Sequence, residues 1–295
     1  MIGSASNKMA TKEAWMKNLW GYETRLIYCL PGTIIELFIT RDYWKKIKKS
    51  STWKNVLCLP LSMIFQMFWM YGLMYGSQKM IQSHAYICST MYGVFVILIG
   101  YAICIKPYKL ELFGLFFTLC GIICMFSDPS AERIDGIEAS SKDYIICIFA
   151  AFLGAFFILV TGHLAKLYPM FFLLEIQGVC GFVFIIILLK TFKTENFSYF
   201  SIDKEWGGFG FFNKDHFWEA FVWFGLSSGF WGLAGYTICL LFFSPVVVSA
   251  SFLLEPLIGQ LIGYWFNIDK FPGWLTWFGT FTVVIGILLT QKADK

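Results

Sequence analysis

Apolar residues run along this chain in long blocks separated by short polar segments, and within the blocks they follow neither the two-residue period of a strand nor a one-sided helical stripe. A helix needs about 20 predominantly apolar residues to cross a bilayer. The blocks predict nine such helices, at about 26–40, 55–78, 81–105, 110–127, 143–162, 167–190, 217–243, 244–267 and 271–291. Continuous rather than alternating hydrophobicity argues against a spanning β-barrel.

The polar breaks divide the chain further. Residues 1–24 are polar with interspersed aromatics and predict a segment lying at the membrane interface. Residues 25–127 hold four predicted spans, 128–142 form a polar loop with four acids (Asp128, Glu132, Asp135, Glu138), 143–291 hold five spans, and 292–295 are a polar tail. The long break 191–216 carries glycines and aromatics, which predicts a segment folded against the interface.

Composition agrees with this pattern. Of 295 residues, 58% are hydrophobic and only 14% are charged, and the mean hydropathy is +0.65. The expectation is an all-α integral membrane protein in contact with lipid. The net charge of +4 sits mostly in loops and gives no basic surface for nucleic acid. Its densest cluster, Arg41, Lys45, Lys46, Lys48, Lys49 and Lys54, predicts a cytoplasmic or matrix-facing loop and an N-terminus on the opposite side. Over all the loops together Lys and Arg divide almost evenly between the two sides, so the orientation rests on this cluster. Asn196-Phe197-Ser198 is a glycosylation sequon pointing weakly to the secretory pathway or plasma membrane, whereas the basic N-terminal residues leave the mitochondrial inner membrane open. No cleavable signal sequence is expected.

Catalytic and cofactor chemistry finds little support. The nine cysteines lie in apolar runs without a Cys-x-x-Cys pair, and His84, His163 and His216 lack ligand spacing, so no metal and no cofactor is expected. There is no phosphate-binding loop or nucleophile elbow, which argues against an enzyme.

Ionisable groups inside spans are the stronger pointers, because charge in hydrocarbon is costly. Glu36, Glu175 and Glu255 lie within apolar runs, and His84 lies near the start of one. Facing a cavity, Glu175 and Glu255 would bind a cationic group or carry a coupling proton; the structural alternatives are interhelical hydrogen bonds, or snorkelling for Glu36. Gln66, Tyr71, Gln177, Trp231 and Tyr236 are further candidates for lining a solute path. Gly72/Gly76, Gly225/Gly229 and Gly259/Gly263 are spaced for close helix contact.

The two halves share a pattern. Leu98-Ile99-Gly100-Tyr101 recurs as Leu261-Ile262-Gly263-Tyr264; each is followed by a hairpin with a proline (Pro107, Pro272) and then by two glycines seven apart, Gly114/Gly121 and Gly279/Gly286. Two turns separate the members of each pair, which places both on one helix face. Internal duplication of this kind is common in transporters.

Ser244-Pro245, Leu254-Glu255-Pro256, Leu261 to Tyr264, the hairpin and Gly279 with Gly286 together resemble the end of the second repeat of the drug/metabolite transporter superfamily, in its EamA-like branch. In the first half Tyr92-Gly93 stand at the position of Glu255-Pro256. The resemblance implies two inverted repeats of a ten-helix fold, here four plus five helices, moving a small organic metabolite through a cavity between the halves without ATP. The run 26–40 then matches the family's second helix, and the first has no counterpart. The alternative it leaves open is a non-transporting accessory subunit of a larger membrane complex. In either case a homodimer or another membrane subunit would cover the exposed flank.

Overall fold

Carboxylates from distant parts of the chain close three helix starts in this protein. A computed structural model describes residues 14–39, 42–102, 109–130, 134, 139–191, 197–203, 206–215, 217–243, 245, 247, 248, 252 and 255–293. Among the described residues there are helices and turns and no strand beyond an isolated bridge between Ser198 and Gly207.

The helices are α1 (Ala14–Ile34, widening into a π turn at Ile35–Ile39), α2 (Asp42–Ser50), α3 (Trp53–Lys79), α4 (Gln82–Thr90), α5 (Tyr92–Ala102), α6 (Lys109–Phe126), α7 (Ser141–Leu167), α8 (Met170–Thr191), the π-wound α9 (Trp218–Gly232), α10 (Leu233–Phe242), α11 (Glu255–Trp265) and α12 (Trp274–Ala293). Six stretches are long and apolar enough to cross a membrane: α3, α4 with α5, α6, α7, α8, and α9 with α10. The chain is therefore an integral membrane protein of helical architecture. Of the nine expected spans, 26–40, 244–267 and 271–291 are not among these six. The first is part of α1, whose window includes Lys17, Glu23 and Arg25. In the second only α11 and a few isolated residues before it are described, and the third has a shorter apolar stretch, Trp274–Gly286.

Of residues 1–24, expected at the interface, 14–24 form the first turns of α1 and pack on the rest of the protein, while 1–13 lie outside the described residues. Met16, Leu19, Trp20 and Tyr22 are buried in the main apolar core with Met63, Phe157, Ile185 and Phe224. The loop after α8 folds onto this end of α1, where Trp20 Nε1 donates to the Gly207 carbonyl at 2.9 Å and Phe211 is buried.

Glycines set the closest helix approaches. Gly72 of α3 faces Ala150 of α7, and Gly76 faces Cys147 and Ala85. Gly225 of α9 receives Thr24 of α1, Gly259 receives the Tyr86 ring, and Gly181 of α8 receives Tyr22. Gly263 differs from its expected role: it makes room for the Asp269 carboxylate in the turn that follows α11, not for a neighbouring helix. The two glycine pairs seven apart meet each other. Gly121 of α6 lies against the Gly279 carbonyl of α12 and Gly286 against the Gly114 carbonyl, so the two helices run antiparallel.

In a low-dielectric setting the first amides of each helix require acceptors. Glu36 Oε2 accepts from Phe172 N at the start of α8 (2.9 Å), Asp269 Oδ2 from Gln82 N at the start of α4 (3.1 Å), and Asp128 Oδ2 from Thr276 N and Oγ1 at the start of α12 (2.9 and 2.6 Å). Asp143 closes α7 by accepting from Ser140 N at 2.8 Å, and Tyr75 Oη ties it to α3 at 2.7 Å.

Asp128 lies in the loop between the two helix sets and is the cap with a readable pH signature. Burial acts to raise its carboxyl, but the hydrogen bonds from Thr276 and Ser130 outweigh burial and hold its pKa below the ordinary value. The stability it contributes is complete above its unfolded-state pKa and is lost as pH falls through the lower folded value. Asp128→Asn is expected to destabilise the protein by about 1–2 kcal/mol at neutral pH and to flatten the acid limb of a thermal-stability profile. Identical acid limbs for the two proteins would refute the assignment.

Candidate functional site

The feature that gathers most chemistry is a cavity of about 130 Å³ between α3, α4 and α5 on one side and α9, α10 and α11 on the other. Glu255, at the first position of α11, lines it. Around the carboxylate stand Trp69, Tyr86, Tyr92, Phe224, Tyr236 and Phe252, with Met70, Leu73, Met74, Ser227, Gly232 and Leu233 completing the wall.

Several of these rings are fixed by their neighbours. Trp69 Nε1 donates to the Ser89 hydroxyl at 3.0 Å and meets Tyr92 edge-on at 5.2 Å between centroids, while Tyr236 contacts Phe252 at 5.3 Å. The Tyr86 and Tyr236 hydroxyls are buried without a hydrogen-bond partner. A lone carboxylate among aromatic faces suits a cation, which gains from both the charge and the ring quadrupoles.

The wall has an internal order. Trp69 and Gly232, Met70 and Leu233, Leu73 and Tyr236, and Tyr92 and Glu255 are four pairs whose members are each separated by 163 residues. The same interval separates Leu98 from Leu261 in the recurring tetrapeptide.

A smaller lobe of about 30 Å³ adjoins this cavity and shares Met70, Met74, Phe224 and Leu233 with it. Asn18, Tyr22 and Arg25 of α1 and Gln66 of α3 give it a polar lining. Thus Glu255 and Gln66, two of the sequence candidates, come together around connected space, and Tyr236 joins them.

The other candidates lie elsewhere. Glu36 caps α8, and its half-buried carboxylate serves an amide there. His84 Nδ1 is 2.8 Å from the Tyr144 hydroxyl in a cluster with Phe126, so its ring joins α4 to α7 outside the cavity. Gln177 donates to Ser62 Oγ at 3.1 Å and Thr161 Oγ1 at 3.3 Å, knotting α8 to α3 and α7. Tyr71 stacks on Trp15 with centroids 4.2 Å apart. Trp231, on the π-wound α9, is 64% exposed and lines neither lobe. Glu175 also lines neither lobe; it lies on α8 close enough for its charge to act on Arg25. Of the resemblance residues, Ser244 and Leu254 lie outside the described set, as do Pro107 and His216.

Arg25, Asn18 and Tyr22 are not legible as site residues from hydropathy, which assigns Asn18 and Tyr22 to a polar N-terminal segment and leaves Arg25 just before the first predicted span. Their spacing held the signal. Positions 18, 22 and 25 fall on one face of a helix. Among the described residues no group of three or more His, Cys, Asp and Glu side chains is placed to hold a metal ion. Comparison of the chain with models of known protein families gives no match, and comparison with curated proteins gives none either.

Proposed function

We propose that this protein is a secondary carrier that moves a small organic solute by alternating access through the Glu255 cavity, built from two inverted helix sets related to the drug/metabolite transporter (EamA-like) scaffold. The observation that carries this reading is the cavity wall, where four pairs of residues at one constant interval face the same space. A duplicated scaffold with its halves inserted in opposite senses puts equivalent residues on opposite sides of a common site. The reciprocal contacts of Gly121 with Gly279 and of Gly286 with Gly114 support the same relation, since an interval of 165 residues maps one contact onto the other. Glu255 then faces its own counterpart, Tyr92, across the solute path.

The test is flux. Choline is a suitable probe, because a quaternary ammonium fits an aromatic wall with one carboxylate and does not cross lipid unaided. Purified protein in proteoliposomes is expected to give saturable choline uptake that depends on Glu255. Uptake equal to that of empty vesicles, or uptake indifferent to Glu255→Gln with Glu175→Gln, would sink the proposal.

One observation favours a second reading, a subunit of a larger membrane assembly. Gly72 receives Ala150 of α7, whereas Gly235, 163 residues later, meets nothing within 4 Å, on a flank where Trp218, Trp223 and Trp231 are exposed. Isolation from native membranes in mild detergent separates the two. Stable co-migration with a large complex supports the subunit, and a lone monomer or homodimer supports the carrier.

A further inference from the structure

We propose that the small lobe at Arg25 is an anion subsite, taking the carboxylate of a solute whose remainder, with its cationic group beside Glu255, occupies the larger cavity. That part of the identification rests on the carrier reading; the anion chemistry of the lobe does not.

Arg25 is 1% exposed and lines the lobe. Its guanidinium is held on several sides. Nη1 donates to Gln66 Oε1 at 3.3 Å, Nη2 rests 3.9 Å from Met63 Sδ, and the Tyr22 ring lies under Cζ at 4.7 Å. None of these partners carries a negative charge. Glu175 is the carboxylate whose charge reaches Arg25, but among the described residues no ion pair forms between them, and Glu175 Oε2 is itself buried without a hydrogen-bond partner.

Three donors on residues that line this lobe are buried without a hydrogen-bond partner: Arg25 Nε, Asn18 Nδ2 and Tyr22 Oη. Unsatisfied buried donors are rare, because each carries the full cost of its lost hydration. They belong to one helical face, positions 18, 22 and 25. A water molecule fits about 30 Å³ and can accept from two donors, but it leaves the guanidinium charge unbalanced. A carboxylate supplies two acceptor oxygens and the missing charge together. The large lobe, walled by Met70, Met74, Phe224 and Leu233 where the two meet, admits the rest of a solute that carries this head and a cationic group at Glu255.

The same donor set also suits a halide, so the experiment has an arm for each. Full-length protein is placed in neutral-lipid nanodiscs, and its thermal midpoint is titrated with sodium phenylacetate, sodium chloride or uncharged phenylacetamide. Phenylacetate is expected to stabilise the protein saturably, with phenylacetamide at least about tenfold weaker. Arg25→Gln is expected to abolish saturation, and Asn18→Leu to weaken it about tenfold. Chloride acting with the same Arg25 dependence, and phenylacetate no better, identifies the anion as inorganic and overturns the solute assignment. Equal effects of phenylacetate and phenylacetamide, or wild-type affinity in Asn18→Leu, overturn the subsite altogether; these two readouts stand even if Arg25→Gln does not fold. Because binding is read without flux, anion binding in a protein that transports nothing would defeat the carrier and leave the subsite intact.

Discussion

Glu255→Gln is expected to lower saturable choline uptake at least about tenfold while leaving the protein folded. Glutamine matches the shape of glutamate and still accepts at one oxygen, so the main loss on substitution is the charge. An ammonium group desolvated beside Trp69, Tyr86, Tyr92 and Tyr236 retains attraction from the rings, about 1–2 kcal/mol. The carboxylate contribution in such a setting is larger, about 1.5–3 kcal/mol, and each 1.4 kcal/mol is a factor of ten. The same variant separates two roles for the carboxylate. If Glu255 also carries a coupling proton, uptake driven by a pH gradient disappears while exchange of labelled for unlabelled choline across the membrane is only weakened. If it serves the cation alone, both fall together. Wild-type uptake in the variant would remove Glu255 from the mechanism.

The helical membrane architecture could be read from sequence, because a long apolar run carries its own signal. Leu98 to Tyr101 and Leu261 to Tyr264 reveal a 163-residue interval, and that interval alone pairs Tyr92 with Glu255, whose side chains line one cavity. Glu255 itself stood out because a carboxylate in an apolar run is costly. Arg25 did not, since hydropathy averages over a window and α1 begins with Lys17, Asn18 and Glu23, which mark it as polar although all three are buried. Burial of such residues depends on what covers them. Here the cover comes from α9 and from the loop at Gly207, some 190 residues away. The capping carboxylates teach the same lesson: Asp128 serves α12 and Glu36 serves α8, pairings that no local pattern encodes. Trp231 is a candidate by residue type alone, which does not say which face of the helix it takes, and it lies exposed on the π-wound segment.

The largest effect on folding is expected at the crossing of α6 and α12. A Cβ added at Gly121 would lie 2.5 Å from the Gly279 carbonyl oxygen, and one added at Gly279 would lie 2.5 Å from the Gly121 carbonyl oxygen. Both obstacles are backbone, which cannot rotate aside as a side chain can. Relief requires the two helices to separate, and with them the packing of Ile87, Ile122, Met125 and Val283. Gly121→Ala and Gly279→Ala are each expected to cost about 1–3 kcal/mol, after an offset of up to about 1 kcal/mol from the better helix propensity of alanine. Gly121→Leu is expected to exceed this and to prevent recovery of folded protein. Gly100→Ala is the control, because nothing lies within 4 Å of the added atom; it should be neutral or slightly stabilising. The reciprocity of the contact makes a sharper prediction than either single substitution. Once the first alanine has pushed the helices apart, the second finds the space already opened, so the double variant should lose less than the sum of the two. Strict additivity of the thermal losses in detergent would show that the two glycines do not share one contact, and would remove the crossing from the argument for an inverted pair.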